Sequence, residues 1–175
     1  MERRDDVNHY SAGLGYELYT ASAWRNTVHA AIGGVGIVIG MVAQKAPIGV
    51  DRISDRVVKA SFQGNSAFTV IVVYAPCEYA DSTDKTEFYN NLRQTTEAVP
   101  RHHFQAILGD LNARLGPDDI LYTHNEQTND NGRRFLDVME DYQLLATNML
   151  FQKRRGKLWT WMSPKKTTHQ IDYIL

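Results

Sequence analysis

The sequence predicts a layered α/β protein built around one core. Several short runs, among them FTVIVVYAP at 68–76 and FQAILGD at 104–110, are almost continuously apolar. Such runs are typical of strands that are covered on both faces, in contrast to the alternating pattern of a one-sided sheet. With 175 residues, 43% of them hydrophobic, the chain is long enough to bury one core, and we predict a single domain over 1–175.

The predicted strands are rich in β-branched and aromatic residues and are bounded by turn residues. They are 34–42, 55–62, 68–76, 104–110, 143–150, 157–163 and 169–175. Residues 1–30 carry aromatic side chains at Tyr16, Tyr19 and Trp24 without a clear period, which favours a strand and a loop there.

Two helices are predicted because apolar residues recur at helical spacing over 82–99 and 131–145. Ser82 or Asp84 could cap the first helix, and the second follows the break at Asn131-Gly132. The recurring residues are Phe88, Leu92 and Val99 in the first helix, and Phe135, Leu136, Met139 and Tyr142 in the second. Both stripes are interpreted as core.

Charge and cysteine content exclude several classes of protein. The chain has 19 basic and 20 acidic residues, so it has no general attraction to a polyanion, and any such site must be local. The single Cys77 forms no internal disulfide, and no apolar run approaches the ~20 residues that span a bilayer. Because MERRDDVNHY at the start also lacks the apolar core of a signal peptide, we predict an intracellular protein without membrane contact.

The segment AILGDLNARLG contains a pair of polar residues at the end of a buried strand. If the strand continues through Leu111, alternation places Asp110 and Asn112 on the same side of its C-terminal edge, where ligands of open α/β sheets bind. A carboxylate beside an amide can bind a metal or orient water and donate to a phosphate oxygen. The alternative is a turn in which both side chains bond their own backbone.

Two further residues at strand ends could take part in chemistry. Tyr74 in VVYAP could donate its hydroxyl to a phosphate, although a tyrosine at the rim of a core is the commoner explanation. Asp172 lies in the apolar strand HQIDYIL, and a buried carboxylate needs a partner such as a histidine or a metal. The alternative is an exposed edge strand whose polar face carries Gln170 and Asp172.

A basic segment and a tryptophan could contact nucleic acid. These residues are Lys153, Arg154, Arg155, Lys157 and Trp161, with Trp159, Lys165 and Lys166 across the same predicted hairpin. The alternative is a solvated turn, because turns are often rich in lysine. The six histidines have no partner at metal-ligand spacing and are interpreted as surface or loop residues.

Taken in order, VVYAP, ILGDLNARLG, NDNGRRFLDVM, LWTWMSP and HQIDYIL resemble the endonuclease/exonuclease/phosphatase superfamily. The branch they resemble comprises the apurinic-type endonucleases of non-LTR retrotransposons and craniofacial development protein 2-like proteins. The resemblance covers roughly residues 30–175. It implies a four-layer sandwich, in which two packed, mainly antiparallel or mixed β-sheets are flanked by helices.

The resemblance also implies a phosphodiesterase site that uses Mg²⁺, with Mn²⁺ as a substitute, and DNA as the partner. Asp110 would position or deprotonate the attacking water, Asn112 would hold the phosphate, and both would lie at the metal. Tyr74 would contact the phosphate, and Asp172 would orient a catalytic histidine.

The sequence departs from the superfamily pattern at both ends. Before Ala30, neither Glu2 nor Glu17 ends an apolar strand as the metal-binding glutamate should, and the chain stops at IDYIL before a Ser-Asp-His motif. We therefore expect a domain truncated at both ends, a fragment or an incomplete gene product, that lacks the metal glutamate and the catalytic histidine. A missing general acid or base lowers the rate by ~10²- to 10⁴-fold.

The sequence thus predicts a magnesium-dependent DNA endonuclease-like domain whose cleavage activity is weak or absent. We expect a retrotransposon origin, a monomer and a nuclear location. Two alternatives keep the same fold. One is a phosphatase of phosphorylated lipids or sugars, and the other is a binding domain that has lost its catalytic site.

Overall fold

The computed structural model describes residues 8–12, 15–25, 31–46 and 48–175. Contacts between Cα atoms divide the chain into two compact units. The first comprises Met1–Tyr74 and Asn91–Ile107, and the second comprises Ala75–Asn90 and Leu108–Leu175. That 1–175 forms a single partial domain stays a prediction.

The first unit contains a three-stranded antiparallel sheet near its N-terminus. Its strands, in spatial order, are β1 (Asn8–Ala12), β2 (Tyr16–Ala21) and β5 (Val35–Ile39). Between β2 and β5 the chain forms a short antiparallel pair from β3 (Trp24–Arg25) and β4 (Ala31–Ile32). The aromatic N-terminal segment therefore forms a meander where one strand and a loop were predicted.

A second, larger sheet has five strands in the order β12, β9, β8, β7, β6. These are β6 (Ile48–Arg52), β7 (Val57–Phe62), β8 (Phe68–Tyr74), β9 (Phe104–Asp110) and β12 (Asp172–Ile174). Val57 and Val58 point to opposite faces of β7, yet both are fully buried. Strands β2 and β5 contact β7 and thereby cover one face of this sheet within the first unit.

The α-helices of the described residues are α1 (Ser82–Glu97) and α2 (Asp130–Asp141). In α1, Phe88 and Leu92 are buried, as the apolar stripe predicts. In α2, Phe135 and Met139 are buried, and the ring of Phe135 lies 5.1 Å from that of Tyr173 on β12. None of the helices in these described ranges is both long and apolar enough to cross a membrane.

The start of α2 differs from the prediction. Asn129 is the N-cap and its side chain accepts from Gly132 N, so Asn131-Gly132 lies inside the first turn and does not precede it. A side chain at Gly132 would collide with the carbonyl oxygen of Arg114, so glycine is required for close approach of two backbones. The sequence predicts a break in the chain at this dipeptide, whereas in the structure its glycine allows a close contact between two backbone segments.

The predicted strand over 143–150 is wrong. Gln143 has φ 53°, and Leu144 N donates to Met139 O at 2.8 Å, so the segment begins with the left-handed residue that follows Tyr142, the C-cap of α2. It continues as a 3-10 helix over Thr147–Met149. The residues QLL at 143–145 therefore follow the end of a helix and do not form a strand, and Leu145 is exposed.

The C-terminal strand predictions need shortening. Of 157–163, only β10 (Trp161–Met162) is a strand, and it pairs with β11 (Thr168–His169). Of 169–175, the main strand is β12. Thr160 Oγ1 accepts hydrogen bonds from both Ile171 N and Asp172 N, and these bonds separate β11 from β12. Strands β5, β7 and β8 lie inside their predicted ranges, and β9 matches its range.

Phe135→Ala should destabilise the second unit strongly. The ring is fully buried against Tyr173, so its removal leaves a cavity that costs about 3–5 kcal/mol of unfolding free energy. Urea denaturation measures the change, and Asp137→Ala, exposed on the same helix, is the control. Equal stabilities of the two variants would contradict the assigned core.

Candidate active site

The end of β9 and the start of β12 bring two aspartates together. In the antiparallel register, Asp110 lies directly opposite Asp172, so both side chains project from the same face of the sheet. Both belong to the second unit and both are partly buried. Like charges directly opposite each other repel, so this pair favours binding of a proton or a cation.

The surroundings of Asp110 raise its pKa from 3.8 to about 6. Burial is the largest cause, and the charge of Asp172 adds to it, while the hydrogen bond from Asn112 N acts in the opposite direction. A carboxyl with this pKa is mostly ionised at neutral pH and still basic enough to accept a proton.

Asn112 approaches Asp110 through a turn. Strand β9 ends at Asp110, and Asn112 has φ 46°, a left-handed conformation that asparagine tolerates better than most residues. Its backbone N–H donates to Asp110 Oδ1 at 2.8 Å, and its Nδ2 donates to Ala75 O at 2.9 Å. The Asp110 side chain thus bonds the backbone two residues on, as the alternative predicts, whereas the Asn112 side chain bonds Ala75 O and not its own backbone. Strand alternation does not apply to Asn112, because β9 ends at Asp110.

The backbone of Asp172 is held on both sides. Its N–H donates to Thr160 Oγ1 at 3.2 Å, and its carbonyl accepts from Asn148 Nδ2 at 3.0 Å. Within the described ranges, no histidine forms a hydrogen bond with its carboxylate. Gln170 is buried and lies before β12, so the alternative in which Gln170 shares an exposed polar face with Asp172 is wrong.

The sequence reading missed Asn129, which fixes the loop after Asn112. Its Oδ1 accepts from Arg114 N at 2.9 Å and from Gly132 N at 2.8 Å. Its Nδ2 donates to Asn112 O at 3.0 Å and to Glu78 Oε2 at 2.8 Å. One buried amide therefore joins the loop to the start of α2, and an asparagine at the N-cap position was the sequence signal for it.

Glu78 follows Pro76 closely in sequence, but its carboxylate binds the N-terminus of α2. It accepts from Asp130 N at 3.1 Å, and its Oε2 lies 3.7 Å from Lys85 Nζ. Lys85, only 4% exposed, also donates to Asp130 Oδ2 at 3.1 Å, which lowers the pKa of Asp130. Because carboxylates stabilise a helix N-terminus, we assign Glu78 a positioning role and no role as a metal ligand.

Tyr74 belongs to the first unit, at the end of β8. The guanidinium carbon of Arg56 lies 5.6 Å from the centre of its ring, and Arg56 Nη1 donates to Tyr74 O at 3.2 Å. Its contact with a phosphate stays a prediction.

The predicted nucleic-acid residues do not form one hairpin. Lys153, Arg154 and Lys157 are exposed around a 3-10 turn, and the side chain of Arg155 lies outside the described residues. Trp161 lies on β10 instead, 43% exposed, with its ring stacked on His169 at 6.0 Å. Their contact with nucleic acid stays a prediction.

The oxygen atoms of Asp110, Asp172 and Asn112 are ligands of the kind that Mg²⁺ prefers, usually one or two carboxylates together with water and substrate phosphate. Among the described residues, no group of three or more His, Cys, Asp and Glu could hold a metal ion. The residues present therefore fit an open, incompletely ligated divalent site.

Solved structures identify the class of fold. The chain matches the 3′ phosphatase NExo from Neisseria bound to a product DNA hairpin, with a TM-score of 0.61 and 21% identity, over 92% of this chain and 66% of that one. It also matches an endonuclease/exonuclease/phosphatase family protein from Leptotrichia buccalis, with a TM-score of 0.57 and 12% identity, over 93% and 59% of the two chains. The protein has the α/β fold of the endonuclease/exonuclease/phosphatase proteins, as the sequence predicts.

Sequence similarity identifies the family to which the chain belongs. In an alignment of 148 residues that covers 81% of this chain, it is 34% identical to craniofacial development protein 2 from Bos taurus, and the same figures hold for that protein from Tragulus javanicus. The chain spans about a quarter of these curated relatives, 25% and 26% of their lengths. No protein-family model matches. The chain is a homologue of craniofacial development protein 2, which confirms the resemblance seen in its motifs.

Asn129→Ala should lower the free energy of unfolding by about 2 kcal/mol, because it removes a helix cap and leaves the buried N–H groups of Arg114 and Gly132 without an acceptor. Urea denaturation measures the effect, with Asn90→Ala, exposed on α1, as the control. A loss no greater than that of the control would show that the amide does not hold the loop.

Asp110→Asn should stabilise the protein at neutral pH and not in acid. Since folding raises the pKa of Asp110 from 3.8 to about 6, the stability linked to this group is full below pH 3.8 and is lost as the pH rises through about 6. The asparagine amide does not ionise, so the variant should be more stable than the wild type by about 1–2 kcal/mol above pH ~7, after allowance for solvent screening. Thermal melting in EDTA across this range measures it, with Asp118→Asn as control. A gain that persists in acid would contradict the assignment.

Proposed function

We propose that this chain is part of a magnesium-dependent phosphodiesterase that acts on DNA and is related to retrotransposon endonucleases. The observation that carries the proposal is the pair Asp110 and Asp172, opposed on one face of the sheet with Asn112 beside them. The DNA hairpin held by the Neisseria 3′ phosphatase, which shares the fold, supports DNA as the substrate.

In this mechanism, ionised Asp110 orients a water molecule and accepts its proton as the water oxygen attacks phosphorus. Asn112 uses one of its two amide hydrogens on Ala75 O, which leaves the other to donate to a phosphate oxygen. As the new P–O bond forms, the bond to the leaving oxygen breaks and that oxygen takes a proton from solvent. A divalent cation, when bound, would neutralise charge on the phosphate and the leaving oxygen.

Asp172 has two parts in the proposal. Its carboxylate would supply the second negative oxygen ligand of a divalent cation, and its charge helps to raise the pKa of Asp110 into the range of a useful base. Its predicted role of orienting a histidine would need an imidazole that, in the described ranges, does not contact it. We therefore propose that the 175-residue chain cleaves DNA weakly at best.

A second candidate function is a non-catalytic binding domain with the same fold. The absence of a group of three metal-ligating residues in the described part of the chain favours it. Magnesium binding separates this candidate from the enzyme, because the binding domain would keep the sheet without affinity for the cation. For either function we propose a monomer located in the nucleus, which sedimentation and cell fractionation would test.

Single-turnover nicking of supercoiled plasmid with excess protein tests the proposed activity. We expect slow nicking that needs Mg²⁺ and falls about 10²-fold in Asp110→Asn, because the water loses its base. Asp137→Asn, exposed on α2, is the matched control. Calorimetric titration should show Mg²⁺ binding to the wild type and weaker binding to Asp172→Asn.

Each outcome of these experiments supports or contradicts a specific part of the proposal. Nicking that is unchanged in Asp110→Asn would contradict the assigned base, and fast nicking by the wild type would contradict the proposed weak activity. If magnesium did not bind at all, the second candidate would be favoured. Release of phosphate from a 3′-phosphorylated oligonucleotide without nicking would assign a phosphomonoesterase instead.

A further inference from the structure

A second polar site lies in the same unit as the aspartate pair. It is a cleft of about 590 Å³ between the loop that follows Asn112, the loop around His124 and the β10–β11 hairpin. The charged and imidazole side chains that line it are Arg114, His124, Glu126, Lys166 and His169. From the sequence, both histidines are interpreted as surface or loop residues, because neither has a partner at metal-ligand spacing.

Arg114 and Lys166 are the cations of the cleft. Within the described ranges, the side chains of Arg114 and Lys166 form neither an ion pair nor a hydrogen bond, and Glu126 is the one carboxylate in the lining. Burial lowers the pKa of His169, and the charges of Arg114 and His124 lower it further. His169 is therefore neutral at neutral pH and can donate an N–H, while Arg114 supplies the charge.

Buried amides hold the walls of this cleft in place. Asn125, 7% exposed, donates from Nδ2 to Gln170 O at 2.9 Å and accepts from Gln170 N at 3.2 Å. Gln170, 2% exposed, accepts from His124 N at 3.2 Å, and His124 Nε2 lies 2.8 Å from Thr168 Oγ1. Such a preformed polar cleft binds a ligand without first having to order its own groups.

The free guanidinium indicates the chemistry of the ligand. A planar guanidinium with unused donors matches a phosphate or a carboxylate, and threonine hydroxyls and imidazole N–H groups add neutral donors. Arg114 follows Asn112 by two residues, and His169 precedes Asp172 by three, so the two sites share the same short segments of chain.

We propose that the cleft binds a phosphate of a polynucleotide backbone while a neighbouring phosphodiester of the same strand lies at Asp110 and Asn112. This inference rests on the proposed function and narrows it, because a ligand with a single phosphate, such as a sugar phosphate or a simple lipid headgroup, fills one site only. The substrate class is then a nucleic acid strand, selected by its repeated phosphates.

Equilibrium binding of a short fluorescein-labelled oligothymidylate, measured by anisotropy in EDTA, tests the cleft separately from hydrolysis. Arg114→Gln should weaken binding about tenfold and lower the slope of log K against log salt by about one, as loss of one phosphate contact requires. Lys166→Asn, which suits the left-handed backbone there, should weaken it less. Arg114→Lys, which keeps the charge but loses the planar fork, should bind with an affinity between those of the wild type and Arg114→Gln.

The matched control is Arg133→Gln on the exposed side of α2, which should bind as the wild type does. Thermal melting identifies any variant that fails to fold. Binding by folded Arg114→Gln equal to the wild type would overturn the proposal, as would thymidine 5′-monophosphate or inorganic phosphate binding as tightly as the oligonucleotide. Failure of the proposed function is a different result, nicking unchanged in Asp110→Asn, and it leaves these binding measurements intact.

Discussion

The side-chain amide of Asn129 is the interaction on which the functional part of the second unit depends. Its oxygen accepts from the N–H groups of Arg114 and Gly132, and its nitrogen donates to Asn112 O and Glu78 Oε2. An amide offers two donors and two acceptor positions, so this one side chain is fully used. The loop that carries Asn112 and Arg114 is thereby fastened to a helix whose first turn is itself stabilised by the Glu78 carboxylate.

The aspartate pair illustrates a conflict between stability and chemistry. The register of β9 and β12 sets Asp110 opposite Asp172, an arrangement that costs folding free energy once both are ionised. The same repulsion and burial raise the pKa of Asp110 toward the range in which a carboxylate works as a base. Contacts in a well-packed core usually stabilise the fold. The contact between these two aspartates instead lowers the stability and makes Asp110 a stronger base.

Sequence reasoning could find what local patterns encode. Strands β7, β8 and β9 and both helices follow from apolar periodicity, and Asp110 and Asn112 stand out because they are polar residues at the end of an apolar run. The facing of Asp110 and Asp172 could not be derived, because it depends on pairing between segments far apart in the chain. The cleft was missed for the same reason, since the loop at His124 and the hairpin at His169 meet only in the folded unit.

Other errors came from residues that serve two purposes. Asn131-Gly132 has the composition of a turn, but the glycine is needed because the backbone of Arg114 approaches the helix there. The QLL run at 143–145 has the composition of a strand, but Gln143 takes the left-handed conformation that ends α2. In both places a long-range contact or a cap outweighs local propensity.

The β10–β11 hairpin turns through Lys166, whose φ is 63°. A residue with a long side chain is strained in this conformation by about 1 kcal/mol relative to glycine. The easiest turn for folding would therefore carry no charge at all. A lysine at this position makes the turn beside the cleft slightly less stable than a glycine would. At this one residue, a more stable turn and a stronger attraction for anions therefore exclude each other.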